Sequence, residues 1–385
     1  MDLDEIAAFQ AIQNLEQVEI NGARPRRTFL PKTNPFEKLT DEAFIKMFRF
    51  NKNMAIQLIN SVSNFIEPSS RSSAIDVDLK VLIALRFYAA GSYQFDTASN
   101  VYCAVSQASA SRAINEVTNA LNRPEIFNRW VKYPSTVEEL RAIRNKFYQK
   151  HGFPGVVGCV DCTHVAIVPP LKEDPLYPEY IYVNRKHYHS INTQLICDSD
   201  LRILNVNARY PGSTHDSFIW NNSRVKTVME NIYRGDLRGF YLLGDSGYAL
   251  RPWLLTPLEN EPDHDTPEGR FNIAHKSSRA VIERCNGVLK MRFRCLLKHR
   301  VLHYTPEVAS KIINACVVLH NICIHNNLPD PEPQEGDEYI DFGMYENLYN
   351  LNMEDIPNPA IRARINVDLE EGMALRRRLI ANYFN

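Results

Sequence analysis

Three carboxylates stand where an acid is an unusual choice. Asp161 follows the apolar run Val156, Val157, Gly158, Cys159, Val160, which sets its side chain at or near the end of a buried strand, and Asp245 follows Tyr241, Leu242, Leu243, Gly244 in the same way. Glu283 lies in a helical stretch whose apolar face is Val281, Cys285, Val288 and Leu289. At about 100° per residue it points away from that face, and Arg279, Lys290 and Arg294 share its side. Carboxylates gathered within a few ångströms repel and raise one another's pKa, which is destabilising unless a cation is present. Mg²⁺ takes oxygen ligands and keeps several waters, so acids 84 and 38 residues apart can serve it without His or Cys. Two such ions would activate a water or a 3′-hydroxyl and stabilise the leaving oxygen of a phosphodiester. Spacing alone leaves a second reading open, because 45 acids offer many triples. In it, Asp161 and Asp245 are turn or cap residues and Glu283 makes an i to i−4 pair with Arg279.

These acids need strands and a helix to carry them. From Gly152, Pro154 and Gly155 onward β-branched runs begin: Val156, Val157, Val160, then Val165 to Val168. Ile191 to Cys197 and Leu201 to Asn207 flank the turn-forming Asp198, Ser199, Asp200 and read as a hairpin; Phe240 to Leu243 is a short strand stopped by Gly244. Ala274 to Arg294 and Pro306 to His325 have helical spacing. Strands followed by flanking helices predict an α/β fold, a mixed sheet covered by helices. Before it, from Thr40 to about Lys150, apolar residues recur at three- and four-residue spacing, predicting an all-helix region. Ser135 with Glu138 reads as a capping box opening a helix whose apolar side is Leu140, Ile143 and Phe147.

The 385 residues, 44% hydrophobic and 23% charged, exclude wholesale disorder and rod-like folds and leave room for two or three domains. No apolar stretch reads as a bilayer span, the start Met1, Asp2, Leu3, Asp4, Glu5 is unlike a secretory signal, and eight scattered cysteines suit reduced thiols inside a cell. The formal net charge of −1 gives no global case for nucleic acid, but its distribution does. Phe271 to Lys311 carries nine basic residues against two acids, which suits a polyanion or a solvated helix face. Asn326 to Asp355 carries nine acids and no Lys or Arg, either a partner for that block or a repelling linker. Arg24, Arg26, Arg27 and Lys32, broken by Pro25, Pro31 and Pro35, read as a mobile basic arm.

The words around the acids go further. Asp161-Cys162-Thr163-His164, Ser213-Thr214-His215-Asp216, Gly244-Asp245-Ser246-Gly247-Tyr248 and Glu283-Arg284-Cys285-Asn286-Gly287 occur in that order. With Tyr182 to Lys186, Pro211-Gly212-Ser213, Phe293 to Leu296 and Leu319-His320-Asn321-Ile322, this set resembles the PIF/Harbinger transposase superfamily, including domesticated Harbinger-derived nucleases, from about Gly155 to His325. The resemblance implies an RNase H-like fold in which Asp161, Asp245 and Glu283 form a DDE triad that holds Mg²⁺ or Mn²⁺, cuts DNA ends and joins them to a target. Asp216 matches a further acid of the pattern and is an additional candidate metal ligand. The resemblance also implies a separately encoded Myb/SANT-like DNA-binding partner. Two DNA ends must meet during transposition, which motivates a homodimer, and the substrate places the protein in the nucleus. A catalytically silent DNA-binding or scaffold protein that kept the fold is the alternative, and an RNase H-like hydrolase acting on RNA a third.

Ser106 to Arg112, followed by Ile114, Val117 and Leu121, reads as the second helix of a helix-turn-helix that offers Gln107, Ser109, Ala110 and Arg112 to a groove, or else as one helix of a plain bundle. Few basic residues surround it, so binding would be shared with the arm or another chain. Lys276, Arg279, Lys290 and Arg294 are the DNA-contact candidates beside Glu283. Cys316, His320 and Cys323 fit a helical core stripe better than zinc. His164 and His215 either orient a phosphate or are structural. Ile361 to Phe384 reads as an amphipathic interaction or localisation helix. The expected organisation is a basic flexible arm (1–39), a helical helix-turn-helix-like DNA-binding domain (40–150), an RNase H-like nuclease domain (151–325), and an acidic linker with a C-terminal helix (326–385).

Overall fold

A computed structural model describes residues 33–67, 75–91, 94–259, 261–332 and 359–385. The basic cluster Arg24 to Lys32 and most of the acidic block lie outside the described residues. Up to Gly152 the described chain forms only helices and turns: α1 (Pro35–Lys38), α2 (Asp41–Phe48), α3 (Lys52–Val62), α4 (Val77–Ala90), α5 (Gln94–Ser99), α6 (Gln107–Leu121), α7 (Pro124–Trp130) and α8 (Val137–His151). Side-chain caps start several of them: Thr40 Oγ1 accepts the Ala43 N–H at 3.2 Å, Asn51 Oδ1 that of Met54 at 2.8 Å, and Ser106 Oγ that of Ser109 at 3.2 Å. The capping box of α8 sits one residue later than expected, on Thr136 and Glu139. The Ser135 N–H also donates to Glu139 at 2.7 Å, and that bond, with Lys132, holds the Glu139 carboxyl down to about 2.

Gly152, in the left-handed region at φ 68°, ends α8 and turns the chain into the sheet. β1 (Val156–Ala166), β2 (Ser190–Cys197), β3 (Ile203–Pro211), β4 (Tyr241–Leu243) and β5 (Leu254–Leu255) lie in the order β3-β2-β1-β4-β5. β1, β2 and β3 pair antiparallel, while β4 and β5 run parallel to β1. The expected hairpin is β2–β3, turned at Asp198 to Arg202. The remaining elements are α9 (Asp216–Asn221), α10 (Arg224–Arg234), α11 (Pro267–Arg292), α12 (Pro306–His325) and α13 (Pro359–Tyr383).

Gly158 sets the phase of β1. The β1–β4 register shifts between Val156 and Gly158, and a Cβ on Gly158 would lie 2.8 Å from the Cys197 carbonyl oxygen. Past this bulge the side chains exchange faces. Val157 and Val160 pack with Leu140 of α8, Met229 of α10 and Trp253, whereas Cys159 packs on the opposite side with Ile282, Cys285 and Leu289 of α11. Strict alternation would have put 157, 159 and 161 together; the bulge instead leaves 159 and 161 facing α11.

The core beneath α11 runs without a break into the N-terminal helices. Leu82 and Leu85 of α4, Ile114 and Val117 of α6 and Ile312, Val317 and Leu319 of α12 belong to one buried cluster, and Asn122 Nδ2 donates to the Lys311 carbonyl at 2.8 Å. α12 is long and apolar enough to cross a membrane, yet here it is mostly buried in protein. α13 packs back on the fold: Phe384 meets Phe153 and Phe271 with ring centroids 5.5 Å apart in each case, and Arg234 pairs with Asp368 at 2.8 Å. Arg376 donates to the Thr256 and Pro257 carbonyls, so this part of the tail is built into the fold as well as amphipathic.

Candidate active site

Asp161 lies in the middle of β1, paired opposite Leu195 of β2, and not at the strand end the apolar run suggested. Asp245 lies in the loop after β4, one residue past Gly244. The last β1–β4 pair is Cys159 with Leu243, and Asp161 and Asp245 each come two residues later. Asp216 opens α9, and Asn192 of β2 holds it by donating to its Oδ1 at 2.8 Å and to the Thr214 carbonyl at 2.8 Å. All three aspartates are buried. Burial pushes Asp161 well above the carboxylate range; Arg279 opposes this and the charges of Asp245 and Asp216 add to it. Burial likewise lifts Asp216 to about 6, against the Asn192 hydrogen bond and with Asp245 raising it further.

Glu283 stands apart from this group. Arg279, Glu283, Asn286 and Lys290 form one stripe of α11 at i, i+4, i+7 and i+11, and the stripe faces β1. Arg279 Nη2 donates to Glu283 at 2.6 Å while its Nη1 lies 3.8 Å from Asp161 Oδ1. The guanidinium therefore stands between the two acids, and the i to i−4 pair that spacing left open is present. Asn286 Nδ2 lies 3.4 Å from Asp161 Oδ2. Among the described residues no three His, Cys, Asp or Glu side chains are grouped closely enough to hold a metal ion.

The cationic face expected around Glu283 is only partly external. Lys290 is fully buried, its Nζ donating to the His164 carbonyl at 2.7 Å, and Arg294 is buried in the turn after α11. Each is turned inward by the sheet and helices packed on α11, which a helical wheel does not show. Lys276 is exposed and pairs with Glu261 at 3.0 Å. Arg284, also exposed, pairs with Asp330 at 2.9 Å, a contact between the basic and acidic blocks. On α6, Gln107 and Arg112 are exposed, Ser109 is half-buried and bonded to Ser106 and Arg112, and Ala110 is buried and cannot reach a groove. A cleft of about 420 Å³ opens beside Gln107, lined also by Gln94, His299, Arg300, His303 and Tyr304.

His164 Nδ1 meets Ser190 Oγ at 2.9 Å and His215 Nδ1 meets Arg185 at 2.8 Å; with Asp216 and Asn192 they border a cavity of about 30 Å³. Cys316, His320 and Cys323 lie in the core stripe of α12, where His320 Nε2 donates to the Leu201 carbonyl at 2.8 Å, and the eight cysteines form no disulfide. Two site residues escaped sequence reasoning. Asn286 lies three residues after Glu283 on the same helical stripe; Asn192 is one of four polar residues in buried β2, and nothing in the sequence sets it apart from Ser190, Thr193 and Gln194.

Residues 160–321 match the DDE superfamily endonuclease family. The chain is 36% identical over 330 residues to "Putative nuclease HARBI1" of Homo sapiens, covering 83% of this chain and 88% of that protein. It is 33% identical over 297 residues to the protein of the same name from Xenopus laevis, covering 76% and 81%, and 30% identical over 207 residues to "Protein ALP1-like" of Arabidopsis thaliana, covering 50% and 48%. No solved structure matches the chain.

Proposed function

The chain belongs to the DDE superfamily of endonucleases as a homologue of HARBI1, and from that premise we propose that it is a divalent-metal-dependent DNA endonuclease that cleaves phosphodiesters at element ends and joins the freed 3′-hydroxyl to target DNA. The observation that supports this best is the placement of Asp161 in β1 and of Asp245 just past the end of the neighbouring parallel strand β4, both buried and both close enough, with Asp216, for their charges to act on one another. The order β3-β2-β1-β4-β5, with three antiparallel strands followed by two parallel ones, suits an RNase H-like sheet.

The donor set fits Mg²⁺ or Mn²⁺: it is all carboxylate oxygen, and burial, with the charges of the neighbouring aspartates added, disfavours the ionised forms of Asp161 and Asp216 until a cation is supplied. Asp161, Asp245 and Asp216 would hold the metal, with Glu283 completing the set once its side chain turns from Arg279. The bound ions would activate the attacking oxygen and stabilise the leaving one. The chain's own residues do the rest. Asn192 holds the carboxylate of Asp216 at 2.8 Å, and Asn286 stands at 3.4 Å from that of Asp161. Arg185, beside His215 at the cavity that Asp216 lines, offers a cation for a backbone phosphate.

The duplex is proposed to contact α5 and α6 as a helix-turn-helix, through Gln107, Ser109 and Arg112, and the cleft with His299, Arg300 and His303, which has no acidic lining residue among the described residues. Lys276 and Arg279 would serve phosphates nearer the acids. Nuclear residence, a homodimer pairing two DNA ends and a Myb/SANT-like partner complete the proposal, as do a DNA-binding function for residues 40–150 and a nuclease function for 151–325. One observation favours a second reading, a DNA-binding protein without the reaction: Glu283 is committed to Arg279. Incubating purified protein with terminal-repeat DNA and Mg²⁺ or Mn²⁺ separates the two. Metal-stimulated cutting lost in Asp161→Asn and Asp245→Asn supports the nuclease; binding with no cutting supports the scaffold.

A further inference from the structure

Asp161 accepts a hydrogen bond from the Cys162 backbone, but its side-chain partners are loose. Its Oδ1 is 3.8 Å from Arg279 Nη1, an ion-pair distance but too long for a hydrogen bond, and its Oδ2 is 3.4 Å from Asn286 Nδ2. Buried Arg–carboxylate pairs that serve stability are usually short and bidentate. Arg279 instead makes its close contact, 2.6 Å, with the half-exposed Glu283, and its buried Nη1 has no hydrogen-bond partner. The Arg279 side chain is itself only 15% exposed, so its charge is balanced by carboxylates more than by water. A guanidinium held at one end by a surface acid and left unsatisfied at the other, facing a cluster of buried aspartates, has the arrangement of an exchangeable counter-ion.

Resting on the metal-site reading above, we infer that Arg279 is the resident cation of the acid cluster, and that its guanidinium and a divalent ion compete for Asp161 and Glu283. With no divalent ion, Arg279 offsets part of the repulsion among Asp161, Asp216 and Asp245 and draws Glu283 aside. When a divalent ion arrives, Glu283 leaves Arg279, and the freed guanidinium stays in the site as a cation for the phosphodiester. No bond to carbon changes in this exchange; one cation replaces another, and a carboxyl that holds a proton releases it to water as the divalent ion binds. Arg279 is thus a positioning residue that sets how much metal the site requires. The pairing of Arg279 with Glu283 and the assembly of a metal site are, on this account, successive states of the same residues.

The test uses the full chain, with Mg²⁺ as the probe and two readouts other than cleavage: Mg²⁺ affinity by titration calorimetry, and melting temperature in chelator and in Mg²⁺. Arg279→Gln is expected to bind Mg²⁺ about tenfold tighter than the parent, since a competing charge a few ångströms from Asp161 has gone. It should also melt lower in chelator and recover the loss in Mg²⁺. Arg279→Lys keeps the charge, serves as the second variant if Arg279→Gln does not fold, and should stay within about threefold of parental affinity. Asp161→Asn should lose Mg²⁺ binding. Equal or weaker Mg²⁺ affinity in Arg279→Gln, with binding still lost in Asp161→Asn, overturns the exchange and leaves the metal site standing. Unchanged Mg²⁺ binding in both Asp161→Asn and Asp245→Asn overturns the metal site and the exchange together. Should only Arg279→Lys be measurable, a change of Mg²⁺ affinity beyond about tenfold in it overturns the exchange, because a competition of charges predicts little change when the charge is kept.

Discussion

Asp161, inside β1, and Asp245, in the loop just past the end of the parallel strand β4, each stand two residues beyond the Cys159–Leu243 pair. The strand fixes the first, and the second is tied by the Gly244 N–H on the Leu255 carbonyl and by the Gly247 N–H on its own carboxylate; carboxylates held near each other this way repel unless something positive stands between them.

Replacing either acid by its amide should therefore separate chemistry from folding. Burial already pushes Asp161 well up, so its ionised form opposes folding at neutral pH. Asp161→Asn is expected to melt at the parental temperature or above it while metal-dependent cleavage falls by at least about 10²-fold. Thermal unfolding and a labelled-DNA cleavage assay on the same preparation check both halves. Parental cleavage in Asp161→Asn would remove that carboxylate from the reaction.

Acid should weaken the fold through His275. This residue of α11 is fully buried between Phe153 and Phe271 and donates from Nε2 to the Leu255 carbonyl of β5 at 3.1 Å; burial lowers its pKa to about 4. The folded state thus favours the neutral ring, while the unfolded chain takes up a proton near 6.5. Stability from this group is complete above about pH 6.5 and is lost as pH falls from there to about 4, on the order of 3 kcal/mol in all. Urea unfolding at pH 7.5, 6 and 5 should show the decline, and His275→Gln should flatten it. An equally steep decline in the variant would place the acid sensitivity elsewhere.

Much of this site is legible from the chain. β-branched runs locate β1, the turn at Asp198 locates the hairpin, and helical spacing puts Glu283 on the polar stripe of α11. What sequence patterning misses depends on contacts from other elements. The Gly158 bulge reverses which residues of β1 share a face, and nothing in Val156 to Val160 announces it. Charge counting placed Lys290 and Arg294 outside, because a helical wheel cannot see that the sheet and the turn after α11 cover them. The capping box was ambiguous for a local reason: Ser135 to Glu138 and Thr136 to Glu139 both satisfy its spacing, and only the backbone selects the second.

That ambiguity gives a clean comparison. Thr136 Oγ1 accepts the Glu139 N–H at 3.2 Å, the N-terminal cap of α8, which packs on the face of β1 opposite Asp161. Thr136→Ala should cost about 1 kcal/mol of stability. The hydroxyl of Ser135 reaches only the Glu139 side chain, so Ser135→Ala should cost less. Urea melts rank the two, and a larger loss in Ser135→Ala would move the cap back by one residue.

Arg112 and Lys290 were both read from sequence as DNA contacts, and their surroundings now predict opposite behaviour. Arg112 is exposed on α6, its Nη2 3.2 Å from Ser109 Oγ, with its charge open to solvent. Arg112→Gln should leave the melting temperature nearly unchanged, weaken duplex binding, and reduce the slope of log affinity against log salt by about one if it meets a phosphate. Lys290 lies under the sheet with its ammonium on the His164 carbonyl. Lys290→Met keeps the stem and deletes the charged donor, leaving a buried carbonyl short of a partner, and should cost about 2 kcal/mol or more. It should leave the salt slope unchanged in whatever fraction stays folded. Fluorescence anisotropy across a salt series, paired with thermal melts, reads both variants. A changed slope in Lys290→Met at unchanged stability would mean that the lysine leaves the interior to meet DNA.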